Sequence, residues 1–215
     1  MNTVTNRSAV LLLEDGTVFK GRSFGKQRIS TGEICFSTGM TGYQEVFTDP
    51  SFYGQLLITT NAHIGNYGVK EEDVESEQIQ IAGLICKNFN TKFSRAMADS
   101  DVEEYFQSEN IGVIADIDTR ALVRHIRSKG AMNALIATSN YSSDIDALKK
   151  KLSQVPSMEG LELASKVSTE ESYLLGEENA KYKIAVIDYG TKKNILRCFV
   201  ERDCKLKVFN AKSSM

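Results

Sequence analysis

The chain has little that would mark a membrane, secreted or metal-bound protein. Its 215 residues include two histidines, two prolines and four cysteines. The cysteines (Cys35, Cys86, Cys198, Cys204) form no CxxC pair, and with so few histidines no cluster of zinc-ligand spacing arises. No apolar run approaches the roughly 18–20 residues that span a bilayer; the run at 9–13 is far shorter. The opening residues, 1–8, are polar and lack the apolar centre of a secretory signal. A cytoplasmic chain with unpaired thiols is therefore expected, with no membrane partner. Charge of one sign is also scarce. Lys+Arg total 26 against 28 Asp+Glu, for a formal net charge of −2, which argues against a nucleic-acid partner. With 41% hydrophobic residues the chain is not a disordered one either. The motifs HExxH, GxxxxGK[ST] and GxGxxG are absent, so no enzyme can be read from any of these local patterns.

What is present reads as an α/β chain of one to two domains. Two short runs, 8–14 and 17–20, flank Asp15-Gly16 and predict a β-hairpin. Alternation over 33–37, with Ile34 and Phe36 on one side, predicts a half-buried strand. Further strands are expected at 55–60, 79–86, 111–115 and 132–138, and helices at 99–108 and 143–152. The clearest helix is 118–129, with Asp118 as N-cap, Arg127 and Lys129 in the last turn and Gly130 after it. Ala121, Leu122, His125 and Ile126 form its expected inner stripe. The periodicity weakens over 151–181, where Pro156, Gly160, Gly176 and several glutamates predict a linker with small local helices. A buried strand at 182–188, a helix at 192–202 and a strand at 205–209 then predict the opening βαβ of a parallel domain. One such unit cannot bury both faces of its sheet. Residues 182–215 are accordingly expected to be partly disordered in isolation, or packed against another copy.

The chemistry-bearing residues are few. Cys86 lies in an apolar run and reads as core. Cys198 lies within a predicted helix and Cys204 at the start of a predicted strand, and both read as structural. Cys35 is on the polar side of its strand, with nothing beside it in sequence to activate it. His125 reads as a helix residue. His63, in a loop with two glycines, is open to a functional or a plain hydrogen-bonding role. Asp188-Tyr189-Gly190 is similar to the metal-binding DFG of kinases, but no HRD or glycine-rich loop accompanies it, and it reads better as a strand end turning into a helix. The segment 38–45, followed by Thr48-Asp49-Pro50-Ser51-Phe52, fits capped turns and a polar-ligand or partner site equally well.

Eight motifs occur in order: Leu13-Glu14-Asp15-Gly16-Thr17, Thr38-Gly39-Met40-Thr41-Gly42-Tyr43-Gln44-Glu45, Thr48-Asp49-Pro50-Ser51, His63-Ile64-Gly65-Asn66-Tyr67-Gly68, Asp73-Val74-Glu75-Ser76, Ala115-Asp116-Ile117-Asp118-Thr119-Arg120, Lys129-Gly130-Ala131-Met132 and Asp188-Tyr189-Gly190-Thr191-Lys192-Lys193-Asn194-Ile195. Together they resemble the small, glutamine-hydrolysing subunit family of carbamoyl-phosphate synthetase, from about residue 8 to 211. The resemblance implies a swivelling β/β/α domain over 1–150, a linker over 151–181, and over 182–215 the truncated start of a flavodoxin-like class I glutamine amidotransferase domain. In that family a Cys thiolate attacks the glutamine side-chain amide, with His as base and Glu orienting it. Ammonia then passes to a large subunit, which makes carbamoyl phosphate from bicarbonate and ATP for pyrimidine and arginine synthesis.

The resemblance carries one ligand residue onto this chain: Ser51 matches the serine that contacts bound L-glutamine, as a hydroxyl suits an amino acid's carboxylate or ammonium. The nucleophile does not carry over. It lies in a Gly-x-Cys-x-Gly-type elbow, which none of the four cysteines has. No catalytic residue, metal or cofactor is therefore expected in this chain, while ATP and a divalent metal are expected on the large subunit. Ala62 stands where the family usually has Pro, which loosens that loop. A second reading is a non-catalytic module that docks on the large subunit. A third, a free-standing nucleotide binder built on Asp188-Tyr189-Gly190, has only one βαβ unit to support it.

Overall fold

Asp15-Gly16 turns the chain between β1 (Ser8–Leu13) and β2 (Val18–Gly25), as the hairpin pattern predicts. The computed structural model describes residues 7–138 and 144–213; the polar residues 1–6, the start of the predicted helix at Ser143 and the last two residues lie outside these. β3 (Ile29–Ser37) follows, then α1 (Tyr43–Phe47), a single 3₁₀ turn at Pro50–Phe52 and β4 (Leu56–Thr59). Next come β5 (His63–Ile64), β6 (Gly83–Ile85) and β7 (Asn88–Phe89). The first half closes with α2 (Val102–Ser108), β8 (Gly112–Ala115), α3 (Thr119–Lys129), β9 (Asn133–Thr138) and α4 (Ile145–Leu152). Only 83–85 of the expected strand 79–86 pairs in this way; residues 79–82 are irregular, although Ile79 and Ile81 are core.

Seven strands close into a barrel in the order β1-β2-β8-β6-β4-β3-β9. Pairing is parallel across β3, β4, β6 and β8 and antiparallel elsewhere. Side-chain alternation divides the core. Leu11, Ile34, Leu56, Ile58, Ile85, Ile114, Ala134 and Ile136 come from six strands and form one cluster, the barrel interior, with Leu122 and Ile126 of α3. Their neighbours Leu57, Leu84 and Val113 point outward under Phe47 of α1 and Phe106 of α2. Leu12, Leu135 and Ala137 point outward under Leu148 and Leu152 of α4. Strands buried on both faces read as continuous apolar runs, which is why 56–58 and 133–137 carry little alternation. On α3, Leu122 and Ile126 are buried as expected, but Ala121 is exposed and Val123 packs instead.

The second sheet is smaller. α5 (Ala164–Val167) and β10 (Tyr173–Leu175) fall inside the segment read as linker. β11 (Tyr182–Asp188), α6 (Lys193–Val200) and β12 (Cys204–Asn210) form the predicted βαβ. β10 adds to β12 antiparallel, a pairing hidden in the sequence because three residues carry no period. Leu196 of α6 covers Leu206, Val208, Ile184 and Val186. The other face of the sheet is open. β11 is therefore not the buried strand its sequence predicts: Ile187 is 56% and Tyr182 52% exposed.

Candidate functional site

Ser51 sits where the two sheets meet. Asp49 caps the 3₁₀ turn, its Oδ1 accepting from Ser51 N at 2.9 Å, and Pro50 occupies the first position, where its missing N–H is no loss. Asp49 is 6% exposed, and its other oxygen pairs with Lys192 Nζ at 2.7 Å across the junction. The Ser51 hydroxyl is exposed, and among the described residues it has no hydrogen-bond partner. A hydroxyl held in this way is free to donate to a carboxylate or accept from an ammonium.

From the other side comes the Asp188-Tyr189-Gly190 turn. Asp188 is buried, and its carboxylate takes three backbone amides: Gly190 N at 3.0 Å, Thr191 N at 2.7 Å and Thr169 N at 2.7 Å. That accounts for the aspartate as a turn-builder. Gly190 has φ +94°, and a Cβ there would lie 3.0 Å from Pro50 Cβ and 2.8 Å from Val167. Only glycine fits a left-handed turn pressed so close to the serine loop.

The segment 73–80 clamps the junction. Glu75 O accepts from Lys193 N at 2.9 Å and Glu75 Oε2 from Asn194 N at 3.0 Å. α6 has no side-chain cap of its own, so Glu75 satisfies its orphan amides from the other unit. Lys193 Nζ pairs with Glu77 at 2.8 Å. The same segment is tied to the Ser51 loop: Thr48 Oγ1 accepts from Glu75 N at 2.9 Å, and Ser76 Oγ donates to Thr48 O at 2.6 Å. The Ser51 turn, segment 73–80 and the start of α6 are thus one bonded assembly. Beside it runs a cleft of about 830 Å³ lined by Pro50, Glu75, Gln80, Val167, Asp188 and Lys193 among others. Gln80 is 8% exposed, and its Oε1 has no partner among the described residues.

The dense segment 38–45 resolves as capped turns. Tyr67 Oη accepts from Gly42 N and Tyr43 N at 2.9 and 3.0 Å, capping α1, and its ring stacks on Tyr43 at 4.0 Å. Tyr43 Oη donates to Gly68 O at 2.6 Å. Gln44 is bonded twice to the Lys70 backbone, at 2.8 Å each. These polar groups are spent on internal bonds, so the two glycine-bearing loops hold each other. Gly65 has φ +90°, and a Cβ there would meet Asn90 O at 2.1 Å.

Neither Cys35 nor Cys86 is set up as a nucleophile. Burial, with the Glu33 charge behind it, pushes the Cys35 thiol up to about 12, the opposite of an activated thiolate. Cys35 packs on the outer barrel cluster, so it does not face solvent as its polar strand neighbours suggest. Cys86 is fully buried and its thiol is raised by that burial. His63 is exposed on β5, and its ring has no hydrogen-bond partner among the described residues. His125 Nε2 lies 2.6 Å from Asp15 Oδ2 and ties α3 to the hairpin turn. Among the described residues no group of three or more His, Cys, Asp or Glu is placed to hold a metal, and no helix is long and apolar enough to cross a membrane. Ser51 and Asp188 stand out in the sequence, whereas Glu75 and Lys192 do not, because their contacts span more than a hundred residues.

The family model described as carbamoyl-phosphate synthase small chain, CPSase domain, matches residues 11–136. The chain is 41% identical over 206 residues to the carbamoyl phosphate synthase small chain of Chlorobaculum tepidum, covering 96% of this chain and 56% of that one. It is 42% identical over 224 aligned positions to the protein of that name from Vibrio vulnificus (97% and 59%). The figure is 40% over 224 for that of Aquifex aeolicus (97% and 60%). The chain thus spans 56–60% of the length of these relatives. A solved aminopeptidase from Aneurinibacillus sp. strain AM-1 aligns with a TM-score of 0.36 at 10% identity, over 94% of this chain and 48% of that one, too loosely to carry any argument.

Proposed function

Because the chain belongs to the carbamoyl phosphate synthase small-chain family, we propose that it supplies the barrel unit and the opening of the amidotransferase unit of a glutamine-dependent synthase. In this reading residues 1–150 are the swivelling β/β/α domain and 151–181 a linker that lends β10 to the second sheet. Residues 182–215 begin a flavodoxin-like amidotransferase domain. Ser51 binds the amino-acid end of L-glutamine at the junction. Ammonia passes to the large chain, which holds ATP and a divalent metal and makes carbamoyl phosphate in the cytoplasm for pyrimidine and arginine synthesis.

The observation that carries this reading is the Ser51 turn, held against the Asp188-Tyr189-Gly190 turn by Asp49–Lys192 and by Glu75 over α6. Such a clamp fixes an exposed hydroxyl relative to the C-terminal end of a parallel strand, where α/β domains place ligands. The chain alone is not expected to hydrolyse glutamine: the two thiols shifted by burial are shifted away from reactivity. Ser51→Ala in a small chain that carries the whole amidotransferase domain, assembled with the large chain, tests the assignment. A hydrogen bond to a charged group is at stake, so the glutamine KM is expected to rise by about tenfold or more with assembly intact. An unchanged KM overturns the ligand role. Lost assembly favours the docking role instead.

A further inference from the structure

Helix α3 carries charge of one sign. Its residues include Arg120, Arg124, Arg127 and Lys129 and no Asp or Glu, in a chain where acids outnumber bases by 28 to 26. Arginines at i, i+4 and i+7 share one face of a helix. All three are exposed, and among the described residues none makes an ion pair, a hydrogen bond or a ring contact. The opposite face is committed to the barrel through Leu122 and Ile126.

The stripe works against the helix that bears it. Arg120 lies in the first turn, where the helix dipole disfavours a cation, and its i+4 neighbour Arg124 repels it. Arg127, in the last turn, has a local electrostatic reason; the other two have none. Ala121 and Ser128 are small, and they leave a shallow depression of about 640 Å³ flanked by Arg124, His125 and Arg127. The guanidiniums therefore border a hollow rather than fill it. A planar, weakly hydrated fork that takes carboxylates two bonds at a time suits a protein interface better than a solvated surface.

We propose that the outer face of α3 is the seat of an acidic surface of a partner protein. Resting on the function proposed above, that partner is the large chain of the synthase. Asp and Glu side chains of the partner pair with Arg120, Arg124 and Arg127, steering association and setting its register.

The test is a titration of the full chain with the synthase large chain from the same source, at about 50 and about 300 mM salt. It compares the unaltered chain, Arg124→Glu/Arg127→Glu, the milder Arg124→Gln, and Lys149→Glu/Lys150→Glu on α4 as a control, all matched by thermal melting. The unaltered chain is expected to bind saturably and more weakly at high salt. Charge reversal on α3 is expected to weaken binding by about tenfold or more, Arg124→Gln by less, and the α4 control by none. Saturable binding that α3 reversal leaves unchanged overturns this inference and leaves the large-chain reading standing. No binding by the unaltered chain overturns both. Self-association abolished by α3 reversal, with large-chain binding intact, overturns it in favour of a second copy as the occupant.

Discussion

The barrel and the second sheet begin from similar strands and end differently. In the barrel, β4 buries Leu57 outward and Leu56 and Ile58 inward, so both faces are covered. In the second sheet, β11 packs Ile184 and Val186 on α6 and leaves Ile187 at 56% exposure. A closed barrel has no edge, whereas β11 is an edge strand with an open face. Closure and two-sided burial make the first region a self-sufficient core. The second is held by one helix and by what the barrel lends it: Glu75 on the amides of α6, and Asp49 and Glu77 on its lysines.

The largest expected effect breaks the first region. Phe47 is fully buried and meets Phe106 edge-on at 5.0 Å. Phe47→Ala is expected to lose about 3–5 kcal/mol, read by denaturant unfolding. Leu206→Ala, at an equally buried site in the second sheet, is expected to speed amide exchange over β11 and β12 while the barrel unfolding midpoint stays put. A single shared unfolding transition for both variants would break the comparison.

A smaller effect sharpens it at the junction. Glu75→Ala removes the cap of α6 and is expected to weaken that helix by about 0.5–2 kcal/mol. The readout is faster exchange at Lys193 and Asn194 with the barrel unaffected. If exchange there is unchanged, the second unit does not depend on the barrel in this way.

The smallest effect depends on pH. Burial, and then the charges of Asp73 and Glu75, hold Glu45 above the usual carboxylate range. A folded-state pKa above the unfolded one gives stability that is present below the unfolded value and lost as pH rises through the folded value. Glu45→Gln is therefore expected to raise the barrel melting temperature slightly at pH about 7 and not at pH about 3.5. An equal gain at both would mean that charge is not the cause.

Several elements were legible in the residues because their signals are local. The Asp15-Gly16 hairpin, α3 with Asp118 before it and Gly130 after it, and the βαβ over β11, α6 and β12 all follow from short-range periods and caps. Ser51 was legible only through the company of other motifs, since a serine after proline completes many turns. β10 was not legible, being too short to carry a period. Cys35 seemed to face water because its neighbours Glu33 and Ser37 are polar. α1 and the loops around it cover that side of the barrel, and no pattern within 33–37 records them.

The family, the helix caps, the alternation of inward and outward strand residues and the charge of α3 can be read from the residues alone. Each is written within a few consecutive residues or in the order of short motifs. It takes the folded chain to reveal that seven strands close into a barrel, that Glu75 caps a helix 119 residues away, and that Asp49 both builds the Ser51 turn and holds Lys192. Those are long-range pairings. A carboxylate's partner is chosen by which amides and cations the folded chain brings within about 3 Å, and no local residue pattern encodes that distance.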